Sequence, residues 1–474
     1  MFKENLRRIY LMGIGGVGMG TLAAMLKESG YEVGGSDRNI YSPMKEFLEE
    51  RKIKVYNGYD PSNIIDFAPD LIIVGNVISD GNPELKMLYT MKGVHYISMP
   101  EAIKEFFLKD KKVIVIAGTH GKTTTTTLTA WLLYKGGLDP SYFAGGISRD
   151  FNSSFRLGRG EWFVIEGDEY DSAFFDKSPK FLHYIPDILG ITAIEYDHAD
   201  IFPSVEHIKE FFKIYFLSMK PESILIYNGE DSNVVDVVEK APVTHRESFA
   251  LEGGNWRGEI DLVKEDFQRV KIFKGDELIV EADAKIFGDH NLRNIILATA
   301  IAYRAGVKPE KIKEGIESFT GVRRRQEVVR KTDAFVLIDD FAHHPTAVRE
   351  TIRSVRMRFP LKRIWAIFEP RSNTSRRNVF QLQFPPAFAE ADVVVVSRIL
   401  EKGSVPESEF LDVEKVVADV KNHWKREAYV GEGVDHIVEL IDRNAKPGDI
   451  FLIMSNGSFG GLKEKLAEWI ERHS

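Results

Sequence analysis

The chain has 474 residues, 43% hydrophobic and 28% charged, so it can bury large cores and is too long for a single one; two to four domains are expected. A formal net charge of −8, with Lys and Arg scattered rather than massed, argues against a nucleic-acid binder, and the absence of cysteine excludes disulfides, thiolate metal sites and a cysteine nucleophile. No apolar run approaches the roughly 18 residues of a membrane span, and MFKENLRRIYLMGIGG lacks the apolar core and cleavage site of a signal peptide, so a cytoplasmic protein without a membrane partner is expected.

Residues 1–107 alternate short apolar runs with amphipathic ones: RRIYLMGI, GTLAAMLKESG, EVGGSD, MKEFLEER, IKVYNG and LIIVG. That alternation predicts a parallel α/β domain. Between the first strand and helix, Gly13, Gly15 and Gly18 form G-x-G-x-x-G, and Asp37 ends the following strand about 20 residues on. The glycines would let the backbone approach a diphosphate at a helix N-terminus, and the carboxylate could accept from ribose hydroxyls. Any tight strand-to-helix turn would favour the same glycines.

A second α/β cycle, residues 108–320, opens with VIVIAGTHGKTTTTTL. Here strand, loop, Lys-Thr and helix arrive in the order of a phosphate-binding loop, although Ile116 stands where the usual spacing has glycine. Backbone N–H groups of Gly118, Thr119, His120 and Gly121 would cradle phosphates, with Lys122 on the β and γ oxygens, Thr123 on magnesium and Thr124 as a further nucleotide contact. EGDEYD then sets Glu166, Asp168, Glu169 and Asp171 after the strand WFVIE, where hard oxygens suit magnesium and where a solvated acidic turn is the plainer alternative.

EYDHAD follows ILGITAI and carries His198 between Asp197 and Asp200. RVKIFKGDELIVEADAKI, within residues 259–287, predicts antiparallel hairpins with Lys274, Gly275 and Asp276 in a turn. GDHNLRN places His290, Asn291 and Asn294 at a helix start, where amides could read an adenine edge or Asn291 could cap the helix. Arg323, Arg324 and Arg325 form a cation cluster that could reach a phosphate or lie in a basic surface turn.

The third cycle, residues 321–474, runs through AFVLID, RIWAIFE, DVVVVS and DIFLIMS. IDDFAHHP sets Asp339, Asp340, His343 and His344 after one strand, and FEPRSNT and MSNGSFGG follow others, so polar groups gather where strands hand over to loops.

In this order GTHGKTTTT, EGDEYD, DHAD, GDHNLRN, GVRRR and DDFAHHP resemble the ATP-dependent Mur ligases along nearly the whole chain. The resemblance implies three α/β domains: a Rossmann-like N-terminal domain binding UDP-N-acetylmuramate, a central P-loop ATPase, and a Rossmann-like C-terminal domain receiving the incoming amino acid or peptide. Within the family, SDRNIYSPM, EGDEYDSAFFDKSPKF, FEPRSNT and MSNGSFGG look like the murein peptide ligases of cell-wall recycling. The L-alanine ligases of peptidoglycan synthesis share the GIGGVGMG loop but carry Pro-His-Arg-Tyr-Thr-Arg where this chain has Glu369 to Thr374.

By that resemblance, UDP-N-acetylmuramate is joined to L-alanyl-γ-D-glutamyl-meso-diaminopimelate while ATP goes to ADP and phosphate. Thr123 and Glu166 hold the magnesium bound by ATP, and His198 holds a second; Lys122 and Arg325 add positive charge. His290, Asn291 and Asn294 hold adenine, and Asp340 the ribose or phosphate side. UDP lies on Gly15, Gly16, Val17 and Gly18 with Asp37 nearby. Arg371 is the expected grip on a peptide carboxylate, because guanidinium matches carboxylate in bidentate geometry, with Asn373, Ser455 and Asn456 as neighbours and His343 orienting the amine. Lys213 lies fifteen residues after His198, a spacing at which some Mur ligases carry a carbamylated lysine; a plain lysine on an amphipathic helix is the alternative. Since Lys122 and Arg325 fall in different segments, domain closure is expected to assemble the site, in a monomer or weak homodimer. A nicotinamide dehydrogenase would use Gly13 to Gly18 and Asp37 but leaves the Lys-Thr loop, EGDEYD and DHAD without a purpose; a non-catalytic nucleotide-binding module would use the loop without turnover.

Overall fold

The computed structural model describes residues 6–40, 44–91, 94–199, 201–399 and 405–474. Asp200 of the DHAD stretch, and Tyr41, Ser42 and Pro43 of SDRNIYSPM, lie outside them. The chain forms two compact units, one of residues 1–193 with 209–247 and one of residues 194–208 with 248–474.

The first unit begins with five parallel strands, β1 (Arg8–Met12), β2 (Glu32–Asp37), β3 (Lys54–Asn57), β4 (Leu71–Val74) and β5 (His95–Ser98), in the order β3-β2-β1-β4-β5. The order reverses between β1 and β4, which opens a ligand crevice beyond the strand ends where the glycine loop stands. Ile9 to Met12 and Leu71 to Val74 are fully buried, as expected of parallel strands covered on both faces.

The same unit continues with β6 (Lys112–Ala117), β7 (Ser141–Ser148), β8 (Ser153–Arg156), β9 (Trp162–Gly167), the small hairpin β10 (Asp171–Ala173) and β11 (Asp176–Pro179), then β12 (Ile188–Ile191) and β13 (Ile224–Asn228). Six of these lie in the order β13-β12-β6-β9-β7-β8. β6 is parallel to both β9 and β12, so the loops after these three strands emerge at one edge. At the tip of the hairpin, Phe174 meets Tyr89 and Phe175 meets Tyr96 edge-on, with ring centroids 6.5 and 5.4 Å apart.

The helix Lys122–Lys135 opens with five threonines, poor helix formers whose branched side chains lose rotamer freedom. Tertiary burial overrides that preference: Thr125, Thr126, Thr127 and Thr129 are wholly buried. The Thr127 hydroxyl also donates back to the carbonyls of Thr123 and Thr124 at 2.9 and 3.1 Å.

In the second unit the expected hairpins form from β15 (Trp256–Val263), β16 (Gln268–Lys274) and β17 (Glu277–Ala284), antiparallel throughout and turning at Gly275, with Phe249 and Ala250 of β14 (His245–Ala250) beside β15. The last sheet holds β18 (Glu327–Lys331), β19 (Val336–Asp340), β20 (Ile364–Phe368), β21 (Val393–Ser397), β22 (Glu427–Gly431) and β23 (Ile450–Met454) in the order β18-β19-β23-β20-β21-β22. Only β18 is antiparallel, and this polar edge strand was not part of the sequence expectation. The β19, β23 and β20 ends bring IDDFAHHP, MSNG and FEPRSNT to one edge. Among the described residues no helix is long and apolar enough to cross a membrane.

Candidate functional site

The phosphate loop is built by the end of β6. Ile116 is fully buried within that strand, paired with Glu166 on β9 and Gly190 on β12, so the loop starts only at Gly118. Gly118 has φ +119°, and a Cβ there would lie 2.4 Å from Thr192 Oγ1 and 2.6 Å from the Ala193 carbonyl, so this turn admits no side chain. Thr119 N–H donates to that carbonyl at 2.8 Å. His120 and Gly121 complete the turn, and Gly121 is the N-cap of the helix that carries Lys122, Thr123 and Thr124.

Lys122 points back over the loop. Its ammonium donates to the Gly118 carbonyl at 2.6 Å and forms an ion pair with Glu169 at 2.5 Å, the two side chains being 11% and 2% exposed. Burial alone would lower the lysine pKa, but the charges of Glu169, Glu166 and Asp168 outweigh it and hold the pKa above the ordinary lysine value. Glu166 accepts from Thr123 Oγ1 at 3.1 Å and from Gly145 N–H at 2.7 Å. A hydroxyl and a carboxylate oxygen side by side at the loop's helix are a hard-oxygen donor set that fits magnesium. Asp168 is paired with Lys180 at 2.7 Å and Asp171 with Lys177 at 2.7 Å, so the acidic stretch divides its work.

At the first sheet, Gly15, Gly16, Val17 and Gly18 form the turn into the helix Val17–Glu28. Asp37 closes that turn rather than standing apart from it: its Oδ2 accepts the Gly15 N–H at 2.9 Å. Beneath lies a buried carboxyl, Glu84, which accepts from Tyr10, Ser36 and Asn63 at 2.9, 2.5 and 2.9 Å. The Ser36 carbonyl takes the Gly13 and Ile14 N–H groups at 2.8 and 3.1 Å, so Glu84 braces the loop through Ser36. Burial raises the Glu84 pKa against these bonds.

In the second unit, the helix Asp289–Arg304 has Gly288 as its N-cap, so Asn291 lies inside the first turn and does not cap it. Its amide donates to the Phe287 carbonyl at 2.9 Å and its oxygen accepts from Asn294 at 3.1 Å. His290 contacts Gln326 at 3.2 Å, and burial depresses its pKa to about 4. The imidazole is therefore neutral at pH 7, and with the amides it presents uncharged hydrogen-bonding groups suited to a base edge.

Arg325 lies with its guanidinium carbon 4.9 Å from the centroid of Phe341. Asp340 is 4% exposed, and its two oxygens accept from Gln326 N–H and Ala342 N–H at 2.7 Å each. Burial raises its pKa, with Arg325 opposing. Arg324 donates to the Ser455 and Gly457 carbonyls at 2.6 Å each, pinning the MSNG turn.

Two loops of this unit, those after β19 and β20, meet the stretch that carries Asp197 and His198. Asp197 is 5% exposed; burial would raise its pKa, but His198, His343, His344 and the His198 N–H hold it well below the usual carboxylate range. His344 Nδ1 accepts the Thr346 N–H at 3.2 Å, which caps the helix Pro345–Arg358 and leaves Nε2–H to donate to the Tyr196 carbonyl at 3.2 Å. His343 Nδ1 donates to the Phe341 carbonyl at 3.0 Å, which turns its Nε2 lone pair towards Asp197 Oδ2 at 3.9 Å. Burial lowers the His343 pKa against the pull of Asp197. Thr374 Oγ1 accepts the Ala199 N–H at 3.1 Å, tying FEPRSNT to the DHAD stretch.

Asn373 accepts from Arg376 at 3.0 Å, and Asn456 is half-buried beside Ser455 in the MSNG turn. Lys213 pairs with Glu210 at 2.6 Å on its own helix and is 32% exposed. Sequence reading gave no role to Glu369 or Thr374 and did not pair Lys122 with Glu169. Glu369 was legible as an acid at a strand end, whereas the Thr374 contact joins segments 175 residues apart and leaves no local signal.

Three family models match in succession: the Mur ligase family catalytic domain over residues 8–111, the Mur ligase middle domain over 116–302, and the Mur ligase glutamate ligase domain over 324–457. The chain is 35% identical over 466 residues to the UDP-N-acetylmuramate–L-alanyl-γ-D-glutamyl-meso-2,6-diaminoheptandioate ligase of Escherichia coli, covering 98% of each. It is 30% identical over 459 residues to the UDP-N-acetylmuramate–L-alanine ligase of Acetivibrio thermocellus, covering 96% of this chain and 94% of that one. A crystal structure of a murein peptide ligase from Psychrobacter arcticus matches with a TM-score of 0.71 at 31% identity, covering 98% of both chains.

Proposed function

The chain belongs to the Mur ligase family, and from that premise we propose that it joins UDP-N-acetylmuramate to L-alanyl-γ-D-glutamyl-meso-diaminopimelate in murein recycling, with ATP going to ADP and phosphate. The observation that carries this reading is the full-length identity with a ligase of that name, higher than the identity with the L-alanine ligase.

A carboxylate is a poor acyl donor because its leaving group would be oxide. Transfer of the γ-phosphoryl group makes an acyl phosphate, which the peptide amine attacks to give a tetrahedral intermediate that expels phosphate. Lys122 offsets the charge of the triphosphate at the turn of His120 and Gly121, the Thr119 N–H being held by the Ala193 carbonyl, and its buried setting strengthens that interaction. Thr123 and Glu166 would hold a magnesium ion, which when bound supplies further positive charge to the phosphoryl oxygens. With the Gly15 N–H held by Asp37 and the Gly16 N–H by the Gly13 carbonyl, the helix start at Val17 and Gly18 takes the UDP diphosphate on backbone N–H groups. In the second unit, neutral His343 presents an acceptor nitrogen that can hold an amine N–H of the incoming peptide.

The test supplies UDP-N-acetylmuramate and ATP and follows ADP release with the tripeptide and with free L-alanine. Turnover with the tripeptide is expected. Turnover with L-alanine alone would overturn the reading.

A further inference from the structure

Lys180 opens the short turn Lys180–His183 that follows β11. Its N–H donates to the Tyr170 carbonyl at 3.0 Å and the Phe181 N–H to the Asp168 carbonyl at 3.3 Å, so the turn is laid along the EGDEYD stretch. The residue is 9% exposed, and its ammonium donates to Asp168 Oδ2 at 2.7 Å and stands 5.7 Å from the centre of the Tyr170 ring. An ammonium has three donors, and among the described residues Asp168 is the one hydrogen-bond acceptor this one meets. A buried cation thus keeps donors for a further acceptor.

The turn also stands between the glycine loop and the phosphate loop of the same unit. The helix Met99–Ile103 packs against it, and Met99 reaches the glycine loop, where a Cβ on Gly18 would lie 3.0 Å from Met99 Cε. On the side of β6, the Asp168 charge acts on Lys122. Contacts thus run from Gly18 through Met99 and Lys180 to Asp168 and Lys122, the direction in which a sugar-bound acid must extend to meet a γ-phosphate. A carboxylate brought up to a triphosphate needs a cation of its own, because Lys122 is already engaged by Glu169 and by the phosphates. Resting on UDP-N-acetylmuramate as the acid substrate, we propose that Lys180, held by Asp168, binds the lactyl carboxylate that is to be phosphorylated.

The test measures Kd by calorimetry on the full-length enzyme, with a non-hydrolysable ATP analogue and magnesium present throughout. The two ligands are UDP-N-acetylmuramate and its carboxamide, in which a neutral amide replaces the lactyl carboxylate. Loss of one charge-assisted hydrogen bond predicts that the wild type binds the carboxamide about ten- to a hundredfold more weakly. In Lys180→Met the ratio of the two Kd values should shrink about tenfold, while the Kd of the carboxamide and that of the ATP analogue stay within about threefold of the wild type. A lysine that only held the EGDEYD stretch in shape would move the last two values and spare the ratio. Equal Kd values for both ligands in the wild type overturn the proposal, a comparison that needs no variant to fold. So does the wild-type ratio retained by Lys180→Met. Binding of neither ligand by the wild type would overturn the proposed acid substrate, and this inference with it, whereas the expected ratio without turnover of the tripeptide would overturn the proposed peptide partner and support the role of Lys180.

Discussion

Replacing Glu169 by Gln keeps the shape of the side chain and removes the charge that faces Lys122 at 2.5 Å. Both groups are nearly inaccessible, so water cannot take the place of the lost partner. Removing one member of a buried ion pair costs about 3–5 kcal/mol in general, because the surviving charge is left buried. Here the Gly118 carbonyl still accepts at 2.6 Å and Glu166 and Asp168 still contribute charge, so a smaller loss of about 2–3 kcal/mol is expected. The loss should be local. Hydrogen exchange read on peptides of the helix Lys122–Lys135 should speed up by roughly thirty- to 150-fold in Glu169→Gln, with the helix Asp289–Arg304 unchanged. The folded pKa of Lys122 lies above the ordinary value of 10.5, so the pair stabilises fully below that pH and loses its contribution as pH rises through the folded value. The difference between wild type and variant should therefore be constant through neutral pH and shrink in strong alkali. Unchanged exchange in the loop helix at pH 7 would refute the argument that this pair holds the loop.

Glu166→Gln weakens the acceptor shared by Thr123 and Gly145 and should cut kcat for ADP release by about 10²–10³-fold, with binding of UDP-N-acetylmuramate by calorimetry retained. His344→Ala removes the cap on Thr346 N–H and the bond to the Tyr196 carbonyl, and a stability loss of about 1–2 kcal/mol should appear in urea unfolding of the second unit. His290, depressed to about 4, favours the native state above pH 6.5 and loses that contribution as pH falls from 6.5 through about 4. His290→Phe should flatten the acid slope of the second unit's urea midpoint in that window, and parallel slopes would contradict the assignment of His290 as buried and neutral.

Local pattern carried much of the architecture. β1, β6, β19, β20, β21 and β23 are short apolar runs ending in polar loops, and the 16-residue helix after Gly288 follows its apolar spacing. The elements that escaped have weak signals for physical reasons: β18 is a polar edge strand, and the β10–β11 hairpin is only a few residues long. The Thr-rich helix was legible only because Gly121-Lys122-Thr123 announces a phosphate loop; its own propensity argues against a helix.

Residue order alone places the chemical groups at the strand ends: Lys122 and Thr123 after β6, Glu166 at the end of β9, the histidines after β19, Arg371 after β20. Periodicity and motif order suffice for that, since strand and loop residues are neighbours in the chain. What each group does with its charge depends on the folded chain. It engaged both oxygens of Asp340 with backbone N–H groups, gave His344 to a helix cap, set Glu169 against Lys122 and left Glu369 facing Arg371. Burial and partner distance set those roles: Glu169 meets Lys122 only because β6 and β9 lie side by side, whereas His344 with Thr346 and Glu369 with Arg371 are near in the chain and owe their geometry to the loops that carry them.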